Sequence, residues 1–69
     1  MEQVKIKTEY IKLDQILKFA AIVQSGGEAK MLINDGQVLV NGEVCLKRGK
    51  KIRKDDIIEV VDHKKFVVI

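Results

Sequence analysis

The sequence predicts an α+β fold in which two short helices form an αα-hairpin beside a small β-sheet. Three observations predict it: apolar residues recur at helical spacing in two adjoining segments, Asn-Gly separates two β-prone runs, and further β-prone runs lie near both ends. At 69 residues the chain has room for one modest core, burying about 60% of its unfolded surface. We therefore expect residues 1–69 to form one domain.

The first predicted helix begins where the hydrophobic period changes, at Leu13. Leu13, Ile16 and Leu17 recur at helical spacing, and Phe19 widens the apolar face, so we expect Phe19 in the core. Asp14 lies in the first turn, where the helix dipole favours a negative charge. The result is an amphipathic helix.

The second predicted helix begins after Ser25, which with Glu28 has the spacing of a capping box. The hydroxyl accepts a free helix amide, and the carboxylate reaches back to the cap amide. Gly36 stands where a left-handed stop residue would end the helix after two to three turns. A two-residue link makes the two helices an αα-hairpin. The apolar face of this second helix consists of Ala29, Leu32 and Ile33.

A hairpin is predicted at Asn41-Gly42, because Asn-Gly between β-prone runs favours a type I′ turn with positive φ at both residues. The register stays open. A two-residue turn pairs Val40 with Glu43 and puts a carboxylate on an apolar face, whereas a longer loop pairs Val40 with Val44.

Three further β-prone segments complete the predicted sheet. Residues 4–6 alternate apolar and basic side chains, and residues 56–61 are apolar-rich. Residues 62–65 are polar enough to turn the chain, so the apolar end at 66–69 is expected to pair beside the N-terminal strand. Ile52 is expected to pin the preceding loop to the core.

Positive charge is concentrated in one segment. The net charge is +3, yet residues 47–54 contain six basic residues and no acid, which leaves seven basic against ten acidic residues elsewhere. A local basic block on a compact domain favours a polyanionic partner.

Residues suited to catalysis are scarce. The chain has one Ser, one Thr, one His and one Cys, and Ser25 already serves as a helix cap. We interpret His63 as an exposed turn residue and Cys45 as a buried small hydrophobe in a strand. A single cysteine excludes an internal disulfide and a cysteine-pair metal site. We expect no enzyme, no cofactor and no metal site.

A membrane location is also not expected. No apolar run approaches the roughly 18 residues of a spanning helix, and Lys5, Lys7 and Lys12 interrupt any signal-peptide hydrophobic region. The sequence therefore predicts a cytoplasmic protein without a membrane partner.

The sequence supports anion binding better than catalysis, because three groups of basic or amide-rich residues can converge. They are Lys12 and Lys18 on the first helix, Gly26-Gly27 with Lys30 at the start of the second, and the loop at 47–54. Helix N-termini attract anions through free amides and the dipole, and glycines do not obstruct a phosphate. Each group alone also has a plain structural interpretation, as a helix start or a solvated face.

Four segments in this order resemble the RNA-binding domain named after ribosomal protein S-four, also called the alpha-L motif. They are residues 11–19 (IKLDQILKF), 25–33 (SGGEAKMLI), 36–42 (GQVLVNG) and 48–52 (RGKKI). The resemblance covers about residues 11–61 and is closest to small bacterial stand-alone members. It implies an αα-hairpin packed on a small curved, mostly antiparallel sheet that binds structured RNA, mostly ribosomal or transfer RNA.

The resemblance implies an RNA-facing surface on the same basic groups. The charge pattern adds Lys18. Together the predicted site residues are Lys12, Asp14, Lys18, Ser25, Gly26, Gly27, Glu28, Lys30, Lys47, Arg48, Lys50 and Lys51.

The chain departs from the family pattern at three places. Gly26 stands where many members have arginine, and Ala21 stands where glycine is usual. Asp55-Asp56 replaces a Gly-Asp pair, and Asp tolerates the left-handed region better than most residues.

The functional expectation is non-catalytic binding of structured RNA by a monomer. Recognition should rest on phosphates and helix shape, because the sequence shows no stacking platform. The resemblance implies ribosomal RNA, in large-subunit assembly or on the ribosome, with ribosomal particles as partners. Transfer RNA, or rescue of nascent chains on the ribosome, is the related alternative. A protein-docking adaptor that uses the basic loop is the alternative of another class.

Overall fold

Two helices and two β-sheets make up the fold, which confirms the α+β prediction. The computed structural model describes residues 1–69, and neither helix has the length and hydrophobicity that a membrane crossing requires. In chain order the elements are β1 (Glu2–Val4), β2 (Ile11–Lys12), α1 (Leu13–Phe19), α2 (Gly26–Asn34), β3 (Val38–Val40), β4 (Glu43–Val44), β5 (Lys51–Ile52), β6 (Ile57–Val60) and β7 (Lys64–Val68).

The larger sheet has five strands in the order β1-β7-β6-β3-β4. β1 pairs with β7 in parallel, and every other pair is antiparallel. The apolar C-terminal segment therefore does pair beside the N-terminal strand, as predicted. The polar turn is shorter than predicted, because β7 already begins at Lys64.

The β3–β4 hairpin closes with a two-residue turn. Val40 pairs with Glu43, and Asn41 and Gly42 both have positive φ, at 52° and 86°. The register left open by the sequence is therefore the shorter one. It is tolerated because β4 is an edge strand on which Glu43 stays exposed, so its carboxylate remains hydrated.

A second, two-stranded sheet formed by β2 and β5 was not predicted. Ile11 pairs with Ile52 and Lys12 with Lys51. Strands of two residues are too short to show a period-2 pattern, so no sequence signal marks them. Ile52 is fully buried, which confirms that it pins the basic loop to the core.

The core lies between the αα-hairpin and one face of the larger sheet. All fourteen buried residues are hydrophobic, and none is polar or charged. They are Ile6, Leu13, Ile16, Leu17, Val23, Ala29, Ile33, Val38, Val40, Ile52, Ile58, Val60, Phe66 and Val68.

Phe19 is not part of this core, so that prediction was wrong. Its side chain is 61% exposed. At 3.6 residues per turn, Phe19 lies about 110° around the helix from the centre of the stripe formed by Leu13, Ile16 and Leu17. The helix also ends at Phe19, so no further turn covers the ring.

Two smaller predictions about burial also need correction. Cys45 is only partly buried and lies just beyond β4, although its amide still donates to the Val38 carbonyl of β3 at 3.0 Å. Leu32 is half-buried, whereas Ala29 and Ile33 on the same helix are fully buried. The buried face of α2 is therefore narrower than its apolar pattern suggests.

Ala21 ends the first helix in a left-handed conformation, with φ of 59°. The Ala21 amide donates to the Lys18 carbonyl at 2.9 Å, and the Ile22 amide donates to the Leu17 carbonyl at 3.0 Å. These bonds close the C-terminal turn that glycine usually makes. A Cβ at positive φ carries a steric penalty.

Replacing Ala21 with glycine should therefore raise the free energy of unfolding by about 1 kcal/mol, the order of the left-handed penalty that an alanine bears. Urea unfolding of both proteins measures the change. Ala20→Gly is the matched control: Ala20 has a φ of −82°, so glycine relieves no strain there and should destabilise the protein. An Ala21→Gly variant no more stable than the parent would contradict the assignment of strain.

Candidate nucleic-acid interface

The basic loop is held against the start of α1 by its own main chain. The Leu13 amide donates to the Lys50 carbonyl at 2.9 Å, and the Asp14 amide donates to the Arg48 carbonyl at 3.0 Å. Lys12, at the N-cap, supplies no side-chain cap, so loop carbonyls satisfy amides that a helix start otherwise leaves free. The main chain of the loop faces the helix, and the side chains at 47–51 are all exposed.

The β2–β5 ribbon adds a charged and aromatic face. Ile11 and Ile52 are paired and turn toward the core, so the alternate residues, Lys12 and Lys51, lie on the other face. Extending the register by one residue places Tyr10 opposite Arg53 on that face. We call Tyr10, Lys12, Lys51 and Arg53 the ribbon face.

Tyr10 organises two of the cations on the ribbon face. Lys51 Nζ lies 4.9 Å from the centroid of the Tyr10 ring, and Arg53 Cζ lies 5.7 Å from it. Both distances are within cation–π range, worth about 0.5–1 kcal/mol each at exposed sites. Arg53 also pairs with Glu9, at 3.7 Å between Nη1 and Oε1.

Sequence reasoning did not select Tyr10 and Arg53 as site residues. The available signal was the alternation of residues 10–12 and 51–53, in which a central isoleucine is flanked by aromatic or basic residues. The signal becomes informative only when the two segments are known to pair.

Asp56 anchors the far end of the loop. Its Oδ2 accepts a hydrogen bond from the Arg53 amide at 2.8 Å, and its Oδ1 accepts one from Asn41 Nδ2 at 3.0 Å. Asn41 Oδ1 in turn accepts from the Ile57 amide at 2.8 Å. Asp55 has a φ of 77°, so the Asp-Asp pair keeps the left-handed turn as predicted.

Asp56→Ala should lower the free energy of unfolding by about 1–3 kcal/mol, because it leaves the Arg53 amide and the Asn41 side chain without their acceptor. Thermal or urea unfolding measures this loss. Asp35→Ala is a suitable control, since Asp35 is exposed, has a φ of −80° and makes no side-chain hydrogen bond. Equal stability of the two variants would show that Asp56 does not anchor the loop.

The start of α2 is capped much as predicted. Ser25 Oγ accepts a hydrogen bond from the Glu28 amide at 3.2 Å. The Glu28 carboxylate reaches one residue further than expected and accepts from the Gln24 amide at 3.1 Å. A Cβ built on Gly26 meets open space, and Gly27 and Lys30 are exposed, so this helix start is accessible.

The structure brings part of the first predicted group into direct contact with the loop. Lys12 and Asp14 adjoin the loop through strand pairing and main-chain hydrogen bonds. No hydrogen bond or ion pair joins the start of α2 to the loop, and the two are connected through the packing of α1 on α2. Lys18 is exposed in the last turn of α1.

The seven cations among the predicted site residues carry uncompensated charge. The two ion pairs in the protein are Arg53–Glu9 and Lys64–Glu2, and neither includes a predicted site residue. The site cations without an ion-pair partner are Lys12, Lys18, Lys30, Lys47, Arg48, Lys50 and Lys51.

Asp14 is the predicted site residue with one buried charged atom. The residue is half-buried, and its Oδ1 is shielded from solvent without a hydrogen-bond partner. Its place in the first turn of α1 lets the helix dipole offset part of the desolvation cost. At most one carboxylate oxygen of Asp14 is therefore available to a ligand.

The arrangement is suited to binding polyanions. No three His, Cys, Asp or Glu side chains converge to hold a metal ion. Ser25 is engaged as a cap, and His63 lies in the exposed β6–β7 turn. What remains is a set of exposed cations on a loop with a fixed main chain, and separately an accessible start of α2; both can bind phosphates without further chemistry.

Comparisons with known proteins agree with this architecture. The family model described as S4 domain matches residues 4–69. A probable ribosome maturation protein RlbA of Bacillus subtilis (strain 168) is 41% identical over 66 residues, which cover 96% of this chain and 93% of that relative. With the αα-hairpin and sheet already described, these matches establish that the chain belongs to the S4 domain family.

Proposed function

We propose that this chain is a non-catalytic module that binds structured RNA, and that its target is ribosomal RNA during maturation of the large ribosomal subunit. The observation that carries the proposal is the basic loop at residues 47–54, whose main chain is fixed to α1 while five of its six cations stay exposed without an ion-pair partner. The relative's printed name, a probable ribosome maturation protein, supports the ribosomal setting. A cytoplasmic monomer that acts on ribosomal particles follows from the same proposal.

Phosphate contacts are the core of the proposed mechanism. Each Lys or Arg that neutralises a phosphate releases condensed counterions, which supplies affinity without reading sequence. A loop already held by hydrogen bonds at both ends loses little conformational entropy when it binds. The proposed interface combines the loop, the ribbon face and the start of α2, so that it follows the backbone of a folded RNA.

A protein-docking adaptor is the second candidate. The observation that favours it is an exposed apolar pair beside the loop: Val44 is 55% exposed and Leu46 is 60% exposed. Transfer RNA is a variant of the main proposal, because a surface that reads phosphates and helix shape suits either RNA.

Sedimentation of cell extracts through sucrose gradients tests the proposal. We expect the protein to travel with ribosomal particles or their precursors, to dissociate as the salt concentration rises, and to be released by ribonuclease. Migration with transfer RNA would redirect the proposal to that target. Association with particles that persists after ribonuclease treatment would favour the adaptor.

A further inference from the structure

An apolar groove lies beside the proposed RNA surface, with an aromatic ring on one side. Ile6, Lys7, Thr8, Ile11 and Phe19 line it, and its volume is about 380 Å³. Burial of an exposed phenylalanine against other apolar groups is favourable, yet nothing in the fold covers Phe19, which is 61% exposed. The groove is therefore open to a planar or apolar ligand.

The groove is fixed in shape by main-chain and side-chain bonds. The Ile6 amide donates to the Ile69 carbonyl at 2.9 Å, and Ile6 itself is only 3% exposed. Thr8 Oγ1 donates to the Tyr10 carbonyl at 2.8 Å, which orders the segment leading into β2. These contacts hold the groove open beside Phe19 before any ligand arrives.

The charge around the groove selects an anionic partner. No acidic residue lines it, and Lys7 does. Lys18, the residue before Phe19, is exposed without an ion-pair partner, whereas Lys12 lies on the face of β2 opposite to Ile11. An exposed aromatic ring in a groove that also contains a lysine can stack an unpaired base while the lysine contacts a neighbouring phosphate.

The groove and the ribbon face lie on opposite sides of β2, because Ile11 lines the groove whereas its neighbour Lys12 lies on the ribbon face. Ile11 pairs with Ile52 in the ribbon, and the next residue, Lys12, pairs with Lys51. The whole protein measures 26 × 20 × 18 Å, so one folded RNA can reach both features. An RNA that binds the ribbon face and bends around β2 can therefore bring a nucleotide to Phe19.

We propose that an unpaired base of the bound RNA stacks on Phe19 in this groove. The inference rests on the proposed function, and it narrows the ligand to structured RNA that carries a bulged or loop base beside a helix. It replaces the expectation that the chain lacks a stacking platform, which depended on placing Phe19 in the core.

The test compares two RNA hairpins of equal length, one fully paired and one with a single bulged 2-aminopurine. We expect tighter binding of the bulged hairpin by the unaltered protein, with a change in 2-aminopurine fluorescence on binding. Phe19→Ala should weaken binding of the bulged hairpin by about 5- to 100-fold, the range for loss of one stacked base. Affinity for the paired hairpin should stay nearly unchanged. Phe19→Trp should restore the preference, because it keeps an aromatic face.

Each other outcome overturns the inference in a distinguishable way. If the unaltered protein binds both hairpins equally, or Phe19→Ala weakens both equally, the base-stacking site is wrong and RNA binding stands. If the protein binds neither hairpin, the proposed function itself fails. If the Phe19→Ala variant binds both hairpins as tightly as the unaltered protein but no longer sediments with ribosomal particles, the groove holds a protein side chain instead. Circular dichroism checks that every variant is folded.

Discussion

Replacing Lys47, Arg48 and Lys51 together with alanine should weaken binding of structured RNA about 100-fold or more at 0.1 M salt. Each phosphate contact contributes about 0.7–0.9 to the slope of log K against log salt, so three lost contacts lower the slope by about 2 to 3. Losing these three contacts lowers the association constant at 0.1 M salt about 100-fold. Titrations of one RNA hairpin at several salt concentrations measure both quantities.

The triple variant should remain folded. All three side chains are exposed, and exposed substitutions usually change stability by less than about 0.5 kcal/mol each. The loop is positioned by carbonyls and amides that these substitutions keep. Equal affinity and an equal salt slope in a folded triple variant would remove the loop from the interface.

A control with the same change in net charge separates local contact from general attraction. Lys5, Lys64 and Lys65 lie on or next to β1 and β7, at the end of the five-stranded sheet away from β4. Changing these three to alanine should affect the affinity and the salt slope far less. A loss as large as that of the loop variant would mean that net charge, and not the loop, governs binding.

Phe66→Ala should remove a large part of the free energy of unfolding. Phe66 is completely buried, in β7 at the centre of the core, and truncating such a side chain costs about 3–5 kcal/mol. A domain of this length has a total stability of roughly 3 to 10 kcal/mol. Urea unfolding followed by circular dichroism measures the loss.

Phe19→Ala is the matched control, because it removes the same side chain from an exposed position. At 61% exposure the ring contributes little to the core. Phe19→Ala should therefore lower the free energy of unfolding by much less than Phe66→Ala does. If the two variants lost equal stability, the position of Phe19 outside the core would be wrong. The pair also shows that a binding defect in Phe19→Ala does not come from unfolding.

The sequence correctly predicted those elements whose conformation depends only on residues close together in the chain. The cap at Ser25, the left-handed stop at Gly36 and the turn at Asn41-Gly42 each depend on the chemistry of a few adjacent residues. Their sequence patterns are therefore sufficient. The sheet pairing of the C-terminal segment was predicted from its hydrophobicity, because an apolar chain end gains by pairing.

The features that were missed depend on long-range contacts. Tyr10 and Arg53 became neighbours only through pairing of β2 with β5, two strands of two residues each. Phe19 was misplaced because apolar character was taken as burial, although its angle around the helix points it away from the core. The link between the loop and α1 uses main-chain carbonyls, which leave no trace in the identity of the side chains.

Crosslinking of the protein to RNA in its own cells, followed by sequencing of the attached RNA, tests the central claim most directly. The loop triple variant serves as the control. We predict a sharp footprint in one helical region of large-subunit ribosomal RNA that the triple variant loses. A footprint that persists in the folded triple variant, or no RNA footprint from the unaltered protein, would contradict the account.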